Sequence, residues 1–472
     1  MRILLVYPDT DPLSIIPNGL INIEPLALEY LAGELPDHDV RILDMKIEKH
    51  WQRVIDEFQP RLIALTGTVI HQQRIIEVAE YAKIMCHDVT VAVGGPHATL
   101  SRHDFEVPSI DAVFTGYWTA PFRQFANDIA AGRTPQPADN MLLRRNGTWE
   151  VGENGMSPKD LDHLPMPRRD LTAAWRHHYR HLVWKPVALM ISSIGCPHRC
   201  NFCPCPVLTG HRVLRRMPEL FVAELEQLTE PYIYVADDNF FFDYHHAMRI
   251  HDLIRDAGIN KQYYFLSRVD DIVRHPDLVE KWAQIGLKKV FIGLESPNDE
   301  EITSLNKKGS VGENTRALEI LHANHVDPLG AFIVRPEYTR ADFDRILEYM
   351  DRMGIYYFEF TVLTPFPGTA FYEEVEHEII HHDTRLFDLA HTLFPTQLPI
   401  QQFYREYSRL HRRASSPLRA WRIKPTVSPF HHLAYFRLAP RLVTLLLGSR
   451  RAYHDLERME ANEAGITART AA

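Results

Sequence analysis

At 472 residues the chain is too long for one ordinary hydrophobic core, and it reads as two or three domains. A hydrophobic fraction of 45% beside a charged fraction of 24% excludes wholesale disorder. The formal charge of −9 excludes a general nucleic-acid binder, and no apolar run approaches the ~18–20 residues that cross a bilayer.

The chain opens on Arg2 to Tyr7, an apolar β-branched run with no small-residue cleavage site behind it. It reads as a first strand, not as a signal peptide, and places the protein in the cytoplasm or on the cytoplasmic face of the inner membrane. Helical spacing follows over Ile23–Leu35, then a strand at Val40–Met45 and a helix at Glu48–Phe58. Leu62–Gly67 is a third strand, and His71–Cys86 a helix. Val89–Gly95 and Ala112–Gly116 are further strands, with a last helix at Thr119–Ala131. Short apolar strands separated by amphipathic helices imply a doubly wound parallel sheet of flavodoxin-like form over residues 1–131. Such a sheet binds its ligand at the carboxyl ends of its strands. Prolines and glycines then punctuate a linker over 132–186, with a small hairpin expected near Met141–Val151.

A second alternating series begins at Val187. Strands are expected at Val187–Ser192, Tyr232–Ala236, Tyr263–Ser267, Lys289–Leu294, Gly330–Val334 and Phe358–Leu363. Helices fall between them at Pro218–Leu228, Tyr244–Ala257 and Pro276–Ile285. The pattern predicts a partial or complete (β/α) barrel over 187–398, with its chemistry at the strand ends. A mainly helical extension, 399–472, carries no strand rhythm. Within it, residues 405–451 hold eleven Lys or Arg against the single acid Glu406. Three readings of this basic, aromatic-rich stretch stand side by side: packed helices with a solvated face, an interfacial segment on anionic lipid, and an RNA contact.

Four of the five cysteines, Cys196, Cys200, Cys203 and Cys205, fall within ten residues; Cys86 stands apart. An odd count without an export signal argues against disulfides. The spacing C-x3-C-x2-C lies directly after a strand, in a loop opened by Gly195 and Pro197. Three thiolates there would hold three irons of a cubane cluster and leave the fourth open. The competing reading is structural zinc, closed by Cys205 or His198. For Cys205 a reactive role at the substrate, a supporting thiol beside the cluster and simple burial all remain open.

The loop, with Phe202 before its third cysteine, resembles the hallmark of the radical S-adenosylmethionine (SAM) enzymes. The resemblance implies a [4Fe-4S] cluster on Cys196, Cys200 and Cys203. It also implies SAM on the open iron, cleaved reductively to a radical, with a reductase, flavodoxin or ferredoxin as electron donor. Ala236-Asp237-Asp238-Asn239-Phe240, Ser267-Arg268-Val269-Asp270, Gly293-Leu294-Glu295-Ser296 and Pro365-Phe366-Pro367-Gly368-Thr369 are similar to strand ends of the family's barrel. On that likeness Asp238, Arg268 and Glu295 are the SAM-binding candidates, against the alternative that these charges pair to hold the barrel mouth. The fifth strand departs from the family's glycine- and proline-rich pattern, reading Val334-Arg335-Pro336-Glu337.

A doubly wound domain ahead of such a barrel, ending a strand in Gly94-Gly95-Pro96-His97-Ala98-Thr99, resembles the cobalamin-binding subgroup. The resemblance makes Gly67, Gly94, Gly95 and Gly116 sites of close backbone approach to cobalamin. His97 either faces the corrin or fixes its loop. The cobalt-ligating D-x-H-x-x-G phrase is absent, since Asp44-Met45-Lys46-Ile47-Glu48 stands in its place. No G-x-G-x-x-G follows the first strand, which counts against a nicotinamide cofactor.

Three segments resemble the hopanoid C-3 methylases in particular: Glu24 to Leu31, Pro204 to Gly210 and Phe360 to Pro365. They imply a C-methyltransferase acting on an apolar molecule such as a pentacyclic membrane lipid, with peripheral membrane contact through 405–451 and no DNA partner. The alternatives are a tetrapyrrole cyclase or ring methylase of bacteriochlorophyll metabolism and, from another class, a metal-stabilised binding protein without radical chemistry.

Overall fold

The computed structural model describes residues 1–15, 21–116, 119–152 and 158–423. Its first sheet contains β1 (Arg2–Tyr7), β2 (Asp39–Asp44), β3 (Leu62–Thr66), β4 (Thr90–Gly94) and β5 (Ala112–Phe114). These run parallel in the spatial order β2-β1-β3-β4-β5, so the winding reverses between β1 and β3. The hairpin expected in the linker forms as β6 (Met141–Arg145) and β7 (Thr148–Val151), and it extends the same sheet antiparallel beyond β5.

Ile3 to Val6 are wholly buried because both faces of β1 are covered. Ile3 and Leu5 pack with Leu28 and Phe125, from helices α1 (Leu26–Gly33) and, much later in the chain, Ala120–Ala130. Leu4 and Val6 pack with Ile55 and Ile75, from helices Trp51–Phe58 and Gln72–Met85. Each such side chain removed from water contributes ~1.5–3 kcal/mol. Helix α1 starts at Leu26 rather than Ile23, because Pro25 disfavours helical backbone in the residue before it. The helix expected from His71 starts at Gln72, after a 3₁₀ turn at Val69–His71 that Thr68 caps.

The second sheet is β8 (Val187–Met190), β9 (Tyr232–Val235), β10 (Gln262–Ser267), β11 (Leu287–Glu295), β12 (Asp327–Val334) and β13 (Tyr357–Val362). All six are parallel, and their spatial order is their chain order. β8 and β13 remain edges, so the barrel is partial. Its floor is filled: His181 stacks on Tyr264 at 4.3 Å and Trp184 on Tyr232 at 5.0 Å. The buried ammonium of Lys289 lies 4.8 Å from the Trp184 ring and 4.4 Å from that of Tyr357.

The two domains are tied by charge. Arg169 and Arg176 belong to the 3₁₀ segment Arg169–His178. Arg169 reaches Glu24 at 2.6 Å in the first domain and Glu224 at 2.6 Å in the second. Arg176 pairs with Glu24 and with Glu230. Buried Arg216 joins both Glu224 and Tyr30.

The first part of the basic extension takes the packed-helix form. Helix Ile400–Ala414 lays Phe403, Tyr404, Tyr407 and Leu410 into the barrel core. Its cations find barrel acids: Arg409 donates to Asp344 at 2.7 Å and Arg419 to Asp351 at 2.6 Å. The remainder of the extension, 424–472, and with it most of the stretch assigned to a lipid surface, lies outside the described residues.

Candidate active site

The cysteine loop follows β8 and closes against Leu214–Arg215 through a short antiparallel pair at Ser193–Ile194. Gly195 makes that closure possible. Its φ is +97°, and a Cβ there would collide with the carbonyl of Arg212. Cys196, Cys200, Cys203 and Cys205 are all free thiols. Burial pushes Cys196 up to about 11 and raises Cys200, so these thiols do not ionise unaided at neutral pH. A bound metal deprotonates such thiols outright. The Arg268 guanidinium, with Nη1 3.5 Å from Cys200 Sγ, supplies positive charge beside the sulfurs. The donor set therefore fits a three-cysteine iron–sulfur site.

The three charged candidates encircle this loop without pairing to one another. Asp238 follows β9 and accepts a hydrogen bond from the Gly195 backbone at 2.7 Å. Arg268 follows β10; its Nε donates to Asp270 at 2.8 Å and its Nη2 to the Lys308 carbonyl at 3.2 Å. Glu295 ends β11 in left-handed backbone, φ +60°, and meets Lys307 Nζ at 2.5 Å. Cys205 lies beside Cys203 and Asp238, which together with burial raise its pKa. Arg335, the departure in the fifth strand, donates to Ser304 at 2.8 Å.

Two neighbours escaped the sequence reading. Asp237 points inward and accepts from the Ser192 backbone at 2.7 Å and from the Ser192 and Ser193 hydroxyls, each at 2.6 Å. Its desolvation outweighs those bonds and raises its pKa to about 6. Asn239 joins β9 to β10, donating to Asp271 at 2.7 Å and accepting from the Arg268 backbone at 3.0 Å. The phrase Asp237-Asp238-Asn239 carried the signal, but only the fold separates one positioning acid from one facing the loop.

Across the domain junction stand the strand ends of the first sheet. Gly95 has φ +99°, and a Cβ there would collide with Thr66 Oγ1. Gly67 is equally closed by His71 Cβ at 2.7 Å, whereas Gly94 has ordinary room against Phe114. Gly116, φ +74°, donates its backbone N–H to Thr99 Oγ1 at 2.9 Å. His97 is buried and meets Asp104 at 2.8 Å, while its backbone N–H reaches the Gly67 carbonyl at 3.2 Å. It fixes two loops. Lys46, at the position of the missing cobalt ligand, is occupied: its Nζ donates to the Ile23 carbonyl at 2.7 Å and lies 4.4 Å from the Tyr7 ring.

These loops form one wall of an apolar cavity of about 530 Å³. Val69, Ile70, Pro96 and Leu100 line it from the first domain, and Phe358, Phe360 and Tyr407 from the barrel side. A more polar cleft of about 410 Å³, with Arg102, Asn140 and Arg212, shares Leu100 and Leu208 with it. The polar cleft, lined also by Thr99, Thr115 and Gly116 at the strand ends of the first sheet, suits the polar nucleotide arm of cobalamin in kind.

Comparison with known proteins places both halves. Residues 190–350 match the radical SAM superfamily and residues 21–126 the B12-binding domain. The hopanoid C-3 methylase of Methylococcus capsulatus is 28% identical over 422 residues, spanning 86% of this chain and 78% of the relative. The bacteriochlorophyllide d C-12(1)-methyltransferase of Chlorobaculum tepidum is 23% identical over 424 residues, spanning 87% and 86%. The fold is shared with the cobalamin-dependent S-adenosylmethionine radical enzyme OxsB, at a TM-score of 0.70 and 14% identity, over 98% of this chain and 75% of that one. With a B12-binding domain, a radical SAM domain and similarity to methyltransferases along most of its length, the chain is a radical SAM methyltransferase whose cofactors are a [4Fe-4S] cluster, SAM and cobalamin.

Proposed function

We propose that this enzyme methylates an unactivated carbon of an apolar polycyclic lipid of the hopanoid kind. One observation carries the reading: the cavity between the loops of the first sheet and the last barrel strand is lined mainly by aliphatic and aromatic side chains. Its volume of about 530 Å³ lies within the ~300–1,000 Å³ usual for small-molecule sites. The likeness to the hopanoid C-3 methylase supports the same substrate class.

When bound, the cluster, SAM and cobalamin supply radical initiation and the methyl group. The chain's own residues bind and orient. Cys196, Cys200 and Cys203 hold the cluster. Asp238, Arg268 and Glu295 ring the cysteine loop and offer SAM its polar contacts. Gly67, Gly95 and Gly116 keep the first wall free of side chains, Gly94 adds a further small position, and His97 braces it. The apolar lining excludes water from the junction. Cys205 is too close to the cluster ligands to serve as a distant base, and we assign it to support of the loop. Membrane contact, where the lipid would be collected, is assigned to the basic residues beyond 423, and a flavodoxin, ferredoxin or reductase supplies electrons.

The test is anaerobic incubation of reconstituted enzyme with deuterated methyl-SAM and a pentacyclic triterpenoid. A product heavier by one labelled methyl group is expected; deoxyadenosine formed with an unlabelled lipid defeats the reading. The likeness to the bacteriochlorophyllide methyltransferase favours a second substrate class, a tetrapyrrole ring, and label appearing in a chlorin but not in the triterpenoid would establish it.

A further inference from the structure

The polar groups on the cavity wall are almost all engaged. Thr68 Oγ1 lies 3.0 Å from His71 Nδ1. His97 meets Asp104. Asp388 accepts from the Ala390 and His391 backbones, each at 2.9 Å, and from His391 Nδ1 at 2.9 Å. Tyr407 donates to the Phe360 carbonyl at 2.8 Å. Thr361 Oγ1 reaches the Phe332 carbonyl at 3.5 Å.

Glu359 is different. It is the third residue of β13 and the single charge within Tyr357–Val362. Its side chain opens to the cavity, and no described residue gives it a hydrogen bond or an ion pair. The charge nearest in effect is the like charge of Glu295, which adds to desolvation in raising its pKa. Its charge also contributes, after burial, to the raised pKa of Tyr234, and, after burial and other neighbouring groups, to those of Tyr264 and Tyr407. His411, on the same wall, is held near a pKa of about 4 by burial and carries no compensating charge at neutral pH. The side chain is exposed along the open cavity, so water meets its carboxyl there, and an apolar ligand that displaces this water must itself supply a donor.

We propose that Glu359 is the polar anchor for the substrate, accepting a hydrogen bond from a hydroxyl on an otherwise apolar skeleton and so setting which carbon faces the cofactors. This rests on the reading of the cavity as a lipid site. The wall narrows the donor. An ammonium brings three N–H groups, and beside Glu359 the wall leaves open only the unpartnered ring nitrogens of buried His411, whereas a hydroxyl brings one. The cofactor-holding loops form the opposite wall, so an anchor on β13 orients the molecule across the gap instead of along it.

The experiment measures affinities of the reconstituted holoenzyme for two matched pairs: a pentacyclic triterpenoid alcohol with its parent hydrocarbon, and a linear isoprenoid alcohol with its hydrocarbon. Wild type is expected to favour the triterpenoid alcohol about 10- to 100-fold. Glu359→Leu should erase that preference while binding the hydrocarbon at least as well, and Glu359→Gln should keep part of it, because the amide oxygen still accepts. Retained cluster absorption in both variants shows that the fold is intact. An equal preference in Glu359→Leu, or none in wild type for either pair, overturns the anchor. If neither pentacyclic probe binds but the isoprenoid alcohol shows the Glu359-dependent preference, the anchor stands and the polycyclic substrate reading falls.

Discussion

Single side chains decide whether the cofactor sites can form. Cys200 contributes one of three sulfurs, and Arg268 stands against it. Cys200→Ala should lose the cluster, read as absent broad visible absorption and a collapse of bound iron and sulfide after anaerobic reconstitution. Cys205→Ala should keep both. Gly95→Ala forces a methyl group onto Thr66 Oγ1 at a backbone angle that alanine resists. The expected cost is about 1–3 kcal/mol in chemical denaturation, with weakened cobalamin retention. The cysteine spacing was fully legible in the sequence because a metal loop is local. Glu359 was not. Its only sign was one charge in an apolar strand, and nothing in the sequence says which strand face meets a cavity.

Elements were legible wherever burial is periodic. The runs Arg2–Tyr7 and Leu62–Gly67 read as buried parallel strands, and they form as such over Arg2–Tyr7 and Leu62–Thr66. Boundaries shifted where local chemistry intervened, at Pro25 ahead of α1 and at the Thr68 turn ahead of Gln72. Composition left three readings of the basic stretch open, and its first part takes the packed-helix one, with Arg409 and Arg419 serving barrel acids. Helix Ile400–Ala414 belongs to the core, so a cut after Leu398 would destabilise the barrel by exposing Phe403 and Leu410. The informative truncation falls after Ile423. It should leave thermal stability unchanged and lower partitioning onto anionic vesicles; unchanged partitioning removes the membrane assignment. Buried histidines add an acid limit. Burial lowers His71 to about 4, His181 to about 3 and His411 to about 4. Their unfolded values lie near 6.5. The stability they contribute is therefore present above pH ~6.5 and lost as pH falls toward the folded values, at about 1.4 kcal/mol per unit for each. Melting temperature should drop between pH 6.5 and 4.5, and less so in His411→Phe.

At the scale of the whole molecule, the domains are joined by a network that composition could not reveal. The segment Glu24 to Leu31, quoted for its likeness to the methylases, places Glu24, Glu29 and Tyr30 against Arg169, Arg176 and Arg216. Burial and the Glu24 charge raise Glu29 to about 8 against the pull of Arg169 and Arg176, which favours its protonated form at neutral pH and leaves the ion pairs of Arg169 to Glu24 and Glu224. Arg169→Ala takes one of two arginines from each of Glu24 and Glu224, which keep Arg176 and Arg216, and should cost about 1–3 kcal/mol, measured by urea unfolding. Arg169→Met at the same site separates lost packing from lost charge.

The stacked rings beneath the barrel have a further consequence for traffic. With Trp184, His181 and Lys289 corking that end, traffic through the floor is closed among the described residues. Arrivals and departures that use the seam between the halves then share it, so spent reagents compete with fresh ones for passage. A bulky molecule wedged there would block loading, and would register as a competitive inhibitor toward each reactant that enters by that route.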